Sequence, residues 1–162
     1  MNNKQRVLGV DPGIARMGWA ILDAGTKRPA LIGCGCLETP STSSTADRLA
    51  TLYTRLDAII RESQPSALAI EKLFFTKNVT TGITVGQARG VVLLLAAQHK
   101  LRIEEFTPTA VKSAVCGDGR ADKRQIGKMV QLLLGLKRLP QHDDTTDAIA
   151  IALCAASVNV LH

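Results

Sequence analysis

The sequence predicts an α/β domain built on a mixed β-sheet. Three short apolar segments come first along the chain, separated by turn residues, and helical and strand-like segments then alternate. Consecutive strands joined by short turns pair antiparallel, whereas strands separated by helices favour parallel pairing. A chain of 162 residues suits one domain with a sizeable core, so we expect a single domain over 1–162.

The first half of the chain contains three predicted strands and a helix. Segment 7–10 is a short apolar run that ends at Asp11 and a Pro-Gly turn, and segments 17–22 and 30–37 are similar runs between polar loops. In 46–62 the apolar residues recur at spacings of three and four, which predicts an amphipathic helix.

The second half alternates between the two kinds of element. Segment 67–70 is a continuous apolar run, typical of a strand buried on both faces, and it ends at Glu71. The remaining predicted elements are helix 80–99, strand 102–106 and helices 108–115, 122–134 and 143–158.

Composition indicates a soluble globular protein with an acidic partner. Hydrophobic residues make up 46% of the chain and charged residues 21%, while the formal net charge is +6. A basic surface suggests a polyanion, with nucleic acid as the first candidate. We see no signal-peptide core and no apolar run long enough to span a bilayer, so we expect a cytoplasmic protein without a membrane partner.

The four cysteines are not spaced as a metal motif. Cys34, Cys36, Cys116 and Cys154 include no CxxC pair, and no pair of histidines lies at metal-finger spacing. We expect all four to be reduced core residues of a cytosolic protein. No cluster of cysteine and histidine is therefore expected to compete for a zinc ion.

Four acids stand beside apolar segments. Asp11 and Glu71 end two predicted strands, and Asp144 and Asp147 lie on the inward face of the last helix, since about 100° separates successive helical residues. Two like charges about 4 Å apart repel by about 4 kcal/mol at an effective dielectric constant near 20. Oxygen ligands of this kind suit Mg²⁺ or Mn²⁺, and four carboxylates balance the charge of two such ions.

Each acid also has a purely structural explanation. Asp-Pro-Gly is common in turns, and acids at strand ends are often simply solvated. Acids at a helix start interact favourably with the helix dipole, and Asp143 is placed to be an N-cap.

Basic and aromatic residues suggest how nucleic acid would be contacted. Phe74 and Phe75 lie between Lys72 and Lys77, and one phenyl ring could stack on an unpaired base, although both could instead cover the sheet edge. A second group could contact phosphates or form a solvated surface, and it comprises Lys112, Arg120, Lys123, Arg124 and Lys128.

The helix from about residue 80 carries Gly82, Gly86 and Gly90 at four-residue spacing. Each glycine in a helix interior costs about 1 kcal/mol relative to alanine, so close backbone approach is the expected compensation. The approaching element is either the chain's own sheet or the same helix of a second copy.

Several of these motifs together resemble one family, the bacterial RuvC Holliday-junction resolvases. The motifs that carry the resemblance, in chain order, are Leu8-Gly9-Val10-Asp11-Pro12-Gly13, Ala69-Ile70-Glu71, Gly86-Gln87-Ala88-Arg89-Gly90 and Asp144-Thr145-Thr146-Asp147-Ala148-Ile149-Ala150. The resemblance implies a ribonuclease-H-like fold, with a five-stranded mixed sheet and helices on both faces. In that fold the first and fourth strands are parallel neighbours, which would place Asp11 beside Glu71.

The resemblance also implies an activity and partners. A homodimer would cut two opposed strands of a four-way DNA junction in recombination and repair, leaving 5′-phosphate and 3′-hydroxyl ends. A RuvA–RuvB branch-migration complex is the expected partner. The residues implied as catalytic are Asp11, Glu71, Asp144, Asp147, Lys112 and Lys123, and the four acids would hold two metal ions. Phe74, Lys112 and Lys123 match family residues that contact DNA, and the full set that we expect to contact DNA is Phe74, Lys77, Arg89, Lys112, Arg120, Lys123 and Arg124.

Two other classes of protein share some of these features. Actin-like and sugar-kinase ATP-binding proteins also open with a strand, Asp-x-Gly and a hairpin, but they need a longer chain and have no use for the Asp144-x-x-Asp147 pair. A non-catalytic nucleic-acid-binding module would need no inward acids.

Overall fold

The computed structural model of the chain describes residues 5–25, 28–73 and 79–159. Five strands form one mixed sheet in the order β3-β2-β1-β4-β5. Its strands are β1 (Arg6–Asp11), β2 (Arg16–Asp23), β3 (Ala30–Glu38), β4 (Ala67–Glu71) and β5 (Arg102–Phe106). The first three strands pair antiparallel, while β1 with β4 and β4 with β5 pair parallel. The predicted mixed sheet is confirmed.

Five helices accompany the sheet in the described part of the chain. They are α1 (Thr45–Ser63), α2 (Val79–Gln98), α3 (Pro108–Cys116), α4 (Lys123–Leu134) and α5 (Asp143–Asn159). Each helix and strand end lies within one residue of its predicted position. This agreement arises because the capping and turn residues that end the elements are local signals.

The two faces of the sheet carry separate hydrophobic cores. On one face, Leu8, Val10 and Ile70 pack against α1 and α2. On the other face, Val7 and Ala69 pack against α5, with α3 and α4 outside it. Helices therefore cover both faces, as the resemblance implies.

Helix α5 lies in direct contact with the backbone of the sheet. A Cβ atom added at Gly9 of β1 would be 2.3 Å from the carbonyl oxygen of Ala148. One added at Gly18 of β2 would be 1.8 Å from the carbonyl oxygen of Asp144. The absence of side chains at these two positions therefore sets how closely the first turns of α5 approach β1 and β2.

Helix α2 corrects one expectation. By length and composition alone its 20 residues could cross a membrane, so the prediction that no apolar run is long enough was wrong. Arg89 is the only charged residue in the helix, and glycine and threonine add little polarity. The core helix of a soluble protein passes the same test, and one side of α2 packs into the core through Ala88, Val92 and Leu95.

Candidate active site

Asp11 and Glu71 lie side by side at one edge of the sheet. In the parallel pair of β1 and β4, Val10 lies opposite Ile70, and the two acids are the next residues of their strands. Both side chains are half-buried. The expectation that the fold brings Asp11 beside Glu71 is confirmed.

The first turn of α5 adds two further acids at this edge. Gly18 pairs with Asp11 across β1 and β2, and it also lies beneath the backbone of Asp144. Asp147 follows one turn later and, like Asp144, is half-buried. The charges of Asp147, Asp144 and Glu71 all act on Asp11. The four acids therefore form one cluster, which we call the carboxylate site.

Burial and mutual repulsion make the carboxylate site unfavourable without a cation. Burial first, and then the three neighbouring acids, raise the pKa of Asp11 to about 7. Burial and Asp147 raise the pKa of Glu71, against the opposing charge of Lys112. Burial also raises the pKa of Asp147, although Lys123 opposes the shift. An all-oxygen set of partly desolvated acids fits the ligand preference of Mg²⁺ or Mn²⁺.

Two lysines flank the carboxylate site. The Nζ atom of Lys123 lies 3.6 Å from Oδ2 of Asp147. Lys112 of α3 lines the same cavity of about 270 Å³, together with Glu71, Asp147 and Lys123. Asp122 positions Lys123 because it caps α4, accepting a hydrogen bond from the backbone N–H of Gln125 at 2.8 Å. The cavity therefore brings two cations to the rim of an acidic site.

The other predicted DNA contacts have different environments. Arg124 is exposed near the start of α4, and the side chain of Arg120 is 95% exposed beside Asp118. Phe74 and Lys77 lie outside the described residues. The phosphate contacts of Arg120 and Arg124 remain predictions.

Arg89 does not suit the DNA contact expected for it. Its side chain is only 11% exposed, and it forms an ion pair with Glu105 of β5. It also donates a hydrogen bond of 3.3 Å to the backbone carbonyl oxygen of Glu71. The guanidinium is already paired with a carboxylate and hydrogen-bonded to the last residue of β4. Little of its surface is therefore left for a phosphate. Its contacts instead connect α2 and β5 to the residue that carries a site carboxylate.

The start of α5 differs from prediction in two further ways. The helix begins at Asp143, so this exposed acid lies in the first turn and not at the N-cap. Beside it, Cys36, Glu38 and His142 place one potential metal-ligand atom each within 4.8 Å of one another. The expectation that no cysteine–histidine cluster exists is therefore wrong. Spacing rules could not find this cluster because residues 36 and 142 are distant in sequence.

Comparison with known proteins assigns this chain to a family. A family model described as "Crossover junction endodeoxyribonuclease RuvC" matches residues 7–155. A crossover junction endodeoxyribonuclease RuvC of Desulfitobacterium hafniense is 51% identical over 157 residues, covering 96% of this chain and 95% of the relative. One from Chloroflexus aggregans is 52% identical over 153 residues, covering 93% and 92%.

A solved structure supports the same relationship. The Thermus thermophilus RuvC in complex with a Holliday junction substrate has a TM-score of 0.90 and 29% sequence identity. The match covers 96% of each chain. The likeness therefore extends over nearly the whole chain.

Proposed function

Because this chain belongs to the RuvC family of crossover junction endodeoxyribonucleases, we propose that it resolves Holliday junctions by metal-dependent hydrolysis of phosphodiester bonds. The reaction serves recombination and DNA repair and leaves 5′-phosphate and 3′-hydroxyl ends. The observation that carries the proposal is the convergence of four carboxylates at one sheet edge, beside two lysines. A non-catalytic DNA-binding module would have no use for acids that repel one another and the DNA.

Asp11, Glu71, Asp144 and Asp147 would hold two divalent ions, Mg²⁺ or Mn²⁺, whose charge four carboxylates balance. When bound, such ions supply a more acidic water nucleophile and stabilise the charge on the leaving oxygen. The chain's own contribution is to hold the four acids on two strand ends and one helix, which are rigid elements. Helix α5 is fixed on the sheet by the close contacts at Gly9 and Gly18.

The lysines account for how the anionic backbone approaches an acidic site. Lys112 and Lys123 line the cavity beside Glu71 and Asp147, where either ammonium group can pair with a phosphate oxygen. Arg120 and Arg124 extend this positive charge along the loop and the start of α4. Phe74 and Lys77 complete the proposed DNA surface, with Phe74 stacking on an opened base. These assignments rest on residue chemistry and on the family.

We further propose that two copies form a two-fold dimer through α2. Val79, Ile83 and Leu94 expose 71%, 57% and 52% of their surface along one side of this helix. On the same side, a Cβ atom added at Gly82, Gly86 or Gly90 would meet nothing within 4 Å among the described residues. The chain's own sheet therefore does not fill the glycine groove, which favours the second copy. Two carboxylate sites related by a two-fold axis would suit paired cuts in a four-way junction.

The family alone supports the remaining assignments. We propose that a RuvA–RuvB branch-migration complex is a partner and that the protein works in the cytoplasm, where its DNA substrate lies.

The central test compares cutting with binding on a synthetic four-way junction. Asp11→Asn and Glu71→Gln should abolish cleavage in Mg²⁺ while gel-shift binding of the junction persists, because each change removes the negative charge of a proposed metal ligand but preserves side-chain volume. The matched control is Asp143→Asn, which removes a charge from the same helix turn outside the cluster and should have a modest effect. Near wild-type cutting by either active-site variant would reject the assignment.

Two substrate controls separate the other classes of protein. Linear duplex should be cut poorly, and ATP should not be hydrolysed. ATP hydrolysis without junction cleavage would favour the kinase-like alternative, and junction binding without any cleavage would favour the non-catalytic module.

A further inference from the structure

A second group of metal-ligand side chains lies outside the carboxylate site. Cys36 and Glu38 stand at the end of β3, and His142 immediately precedes α5. Their Sγ, carboxylate oxygen and imidazole nitrogen atoms all lie within 4.8 Å of one another. The Nε2 atom of His142 is 3.8 Å from Oε1 of Glu38. Only small side-chain adjustments separate this arrangement from a shared coordination sphere.

The fold explains why these three residues meet. Alternation along β3 places Cys36 and Glu38 on the same face of the sheet. Cys36 pairs with Gly18, and the backbone of Asp144 lies directly on Gly18. His142, two residues before Asp144, is thereby brought over the same end of β3. The close approach that positions Asp144 therefore also assembles the Cys36–Glu38–His142 cluster.

The chemistry of the cluster differs from that of the carboxylate site. One thiolate, one imidazole and one carboxylate are typical ligands of Zn²⁺, and the thiolate and imidazole are poor ligands for Mg²⁺. Three protein ligands leave the fourth tetrahedral position to water. Burial, and then the charges of Asp144 and Glu38, raise the pKa of the Cys36 thiol, so a cation that binds there must displace the thiol proton. Cys36 and His142 are half-buried, so a bound ion would be partly shielded from solvent.

We propose that Cys36, Glu38 and His142 form a binding site for a thiophilic divalent cation such as Zn²⁺, separate from the carboxylate site. The ion would connect the end of strand β3 to the residue before α5. Arg16 is the competing cation, since its Nε atom lies 3.4 Å from Oε1 of Glu38. The side chain of Arg16 is 58% exposed, so it can withdraw into solvent when an ion binds.

Cobalt provides a direct probe of the thiolate. Co²⁺ should be titrated into the purified, metal-free protein with excess Mg²⁺ present, so that the carboxylate site is saturated. We expect a sulfur-to-cobalt charge-transfer absorption band that saturates at one ion per chain and disappears on addition of Zn²⁺. Cys36→Ser should abolish the band. The matched control is Cys34→Ser, which alters the neighbouring cysteine on the same strand and should leave the band intact.

The other two ligands provide an independent measurement. His142→Ala and Glu38→Gln should weaken Zn²⁺ binding by about tenfold or more, since even the loss of an outer hydrogen-bonding partner has effects of this size. Zn²⁺ should raise the melting temperature of the wild type and of Cys34→Ser, but not that of Cys36→Ser. Equal melting temperatures without metal would show that the variants fold.

Two results would overturn the proposal. One is a wild-type protein that gives no charge-transfer band, and the other is a band that is unchanged in Cys36→Ser. Neither result affects the junction-cleavage assignment, because that assignment depends on the four carboxylates.

Discussion

Gly18 lies directly beneath Asp144 and directly beside Asp11. A Cβ atom at position 18 would be 1.8 Å from the carbonyl oxygen of Asp144, and Gly18 is paired with Asp11 in the register of β1 and β2. One residue without a side chain therefore sets the distance between an acid on the sheet and an acid on the helix above it.

We predict that Gly18→Ala displaces the first turn of α5. Because the obstructing atom belongs to the backbone, the helix must move, and Asp144 and Asp147 must move with it. Junction cleavage in Mg²⁺ should fall by at least about tenfold, since small displacements of positioned groups are costly. The melting temperature should also fall. Kinetics on a four-way junction and thermal unfolding measure the two effects.

The matched control is Gly33→Ala on β3. A Cβ atom there would lie 3.6 Å from the ring of Trp19, which is an ordinary contact distance. This variant should retain cleavage and stability. Full activity of Gly18→Ala would contradict the role given to the close approach.

Stability without metal should fall as pH rises. The folded state raises the pKa of Asp11 from 3.8 to about 7, so it holds the proton more tightly than the unfolded chain. The contribution of Asp11 to stability is fully present below its pKa in the unfolded chain. This contribution is lost as pH rises through its pKa in the folded state. Urea unfolding in EDTA should therefore show a lower free energy of unfolding at pH 8 than at pH 5.

Asp11→Asn should weaken this pH dependence because it removes the charge. At pH 8 in EDTA the variant should be more stable than wild type by at least about 1 kcal/mol, or about 2–4 °C in melting temperature. Mg²⁺ should reduce this difference in stability, because it should stabilise the wild-type site and not the site of the variant. Glu62→Gln, on the exposed side of α1, is the control and should leave the free energy of unfolding at pH 8 unchanged. An Asp11→Asn variant less stable than wild type at pH 8 would contradict the prediction.

Arg89 should affect cleavage more than binding. Its guanidinium connects Glu105 to the backbone of Glu71, so Arg89→Met should reduce cutting by about tenfold while junction affinity changes little. Arg89→Lys should restore part of the activity by keeping the ion pair. Arg124→Gln should show the opposite pattern, with weaker binding and a shallower salt dependence, by about one unit of slope. Equal losses of cutting and binding in Arg89→Met would support a direct DNA contact instead.

Gly86→Leu should separate the proposed dimer. The added side chain would project into the open side of α2, where nothing from the described part of the chain lies within 4 Å. The folded monomer should cut junctions poorly. The matched control is Ala58→Leu, which adds a larger apolar side chain to the exposed side of α1, opposite its buried residues, and should remain dimeric. Sedimentation of both variants and the wild type measures the effect, and a wild-type monomer at micromolar concentration, free and on junction DNA, would reject the dimer.

The sequence by itself determined the elements and the residues of the carboxylate site. Alternation, helical periodicity and capping residues act over a few neighbours, so the limits of β4 and α1 were predictable to within one residue. Asp11 and Glu71 were identifiable because each follows a buried strand. Their adjacency was expected from the family resemblance, and the parallel pairing of β1 with β4 confirms it.

Only the tertiary structure decided which residues from distant parts of the chain contact one another. The importance of Gly18 depends on α5 crossing β2. The contacts of Arg89 depend on β5 lying beside β4. The Cys36–Glu38–His142 cluster joins residues that are distant along the chain. Local patterns carry no information about such pairs, because the approach of two segments depends on strand order and on the packing of whole elements.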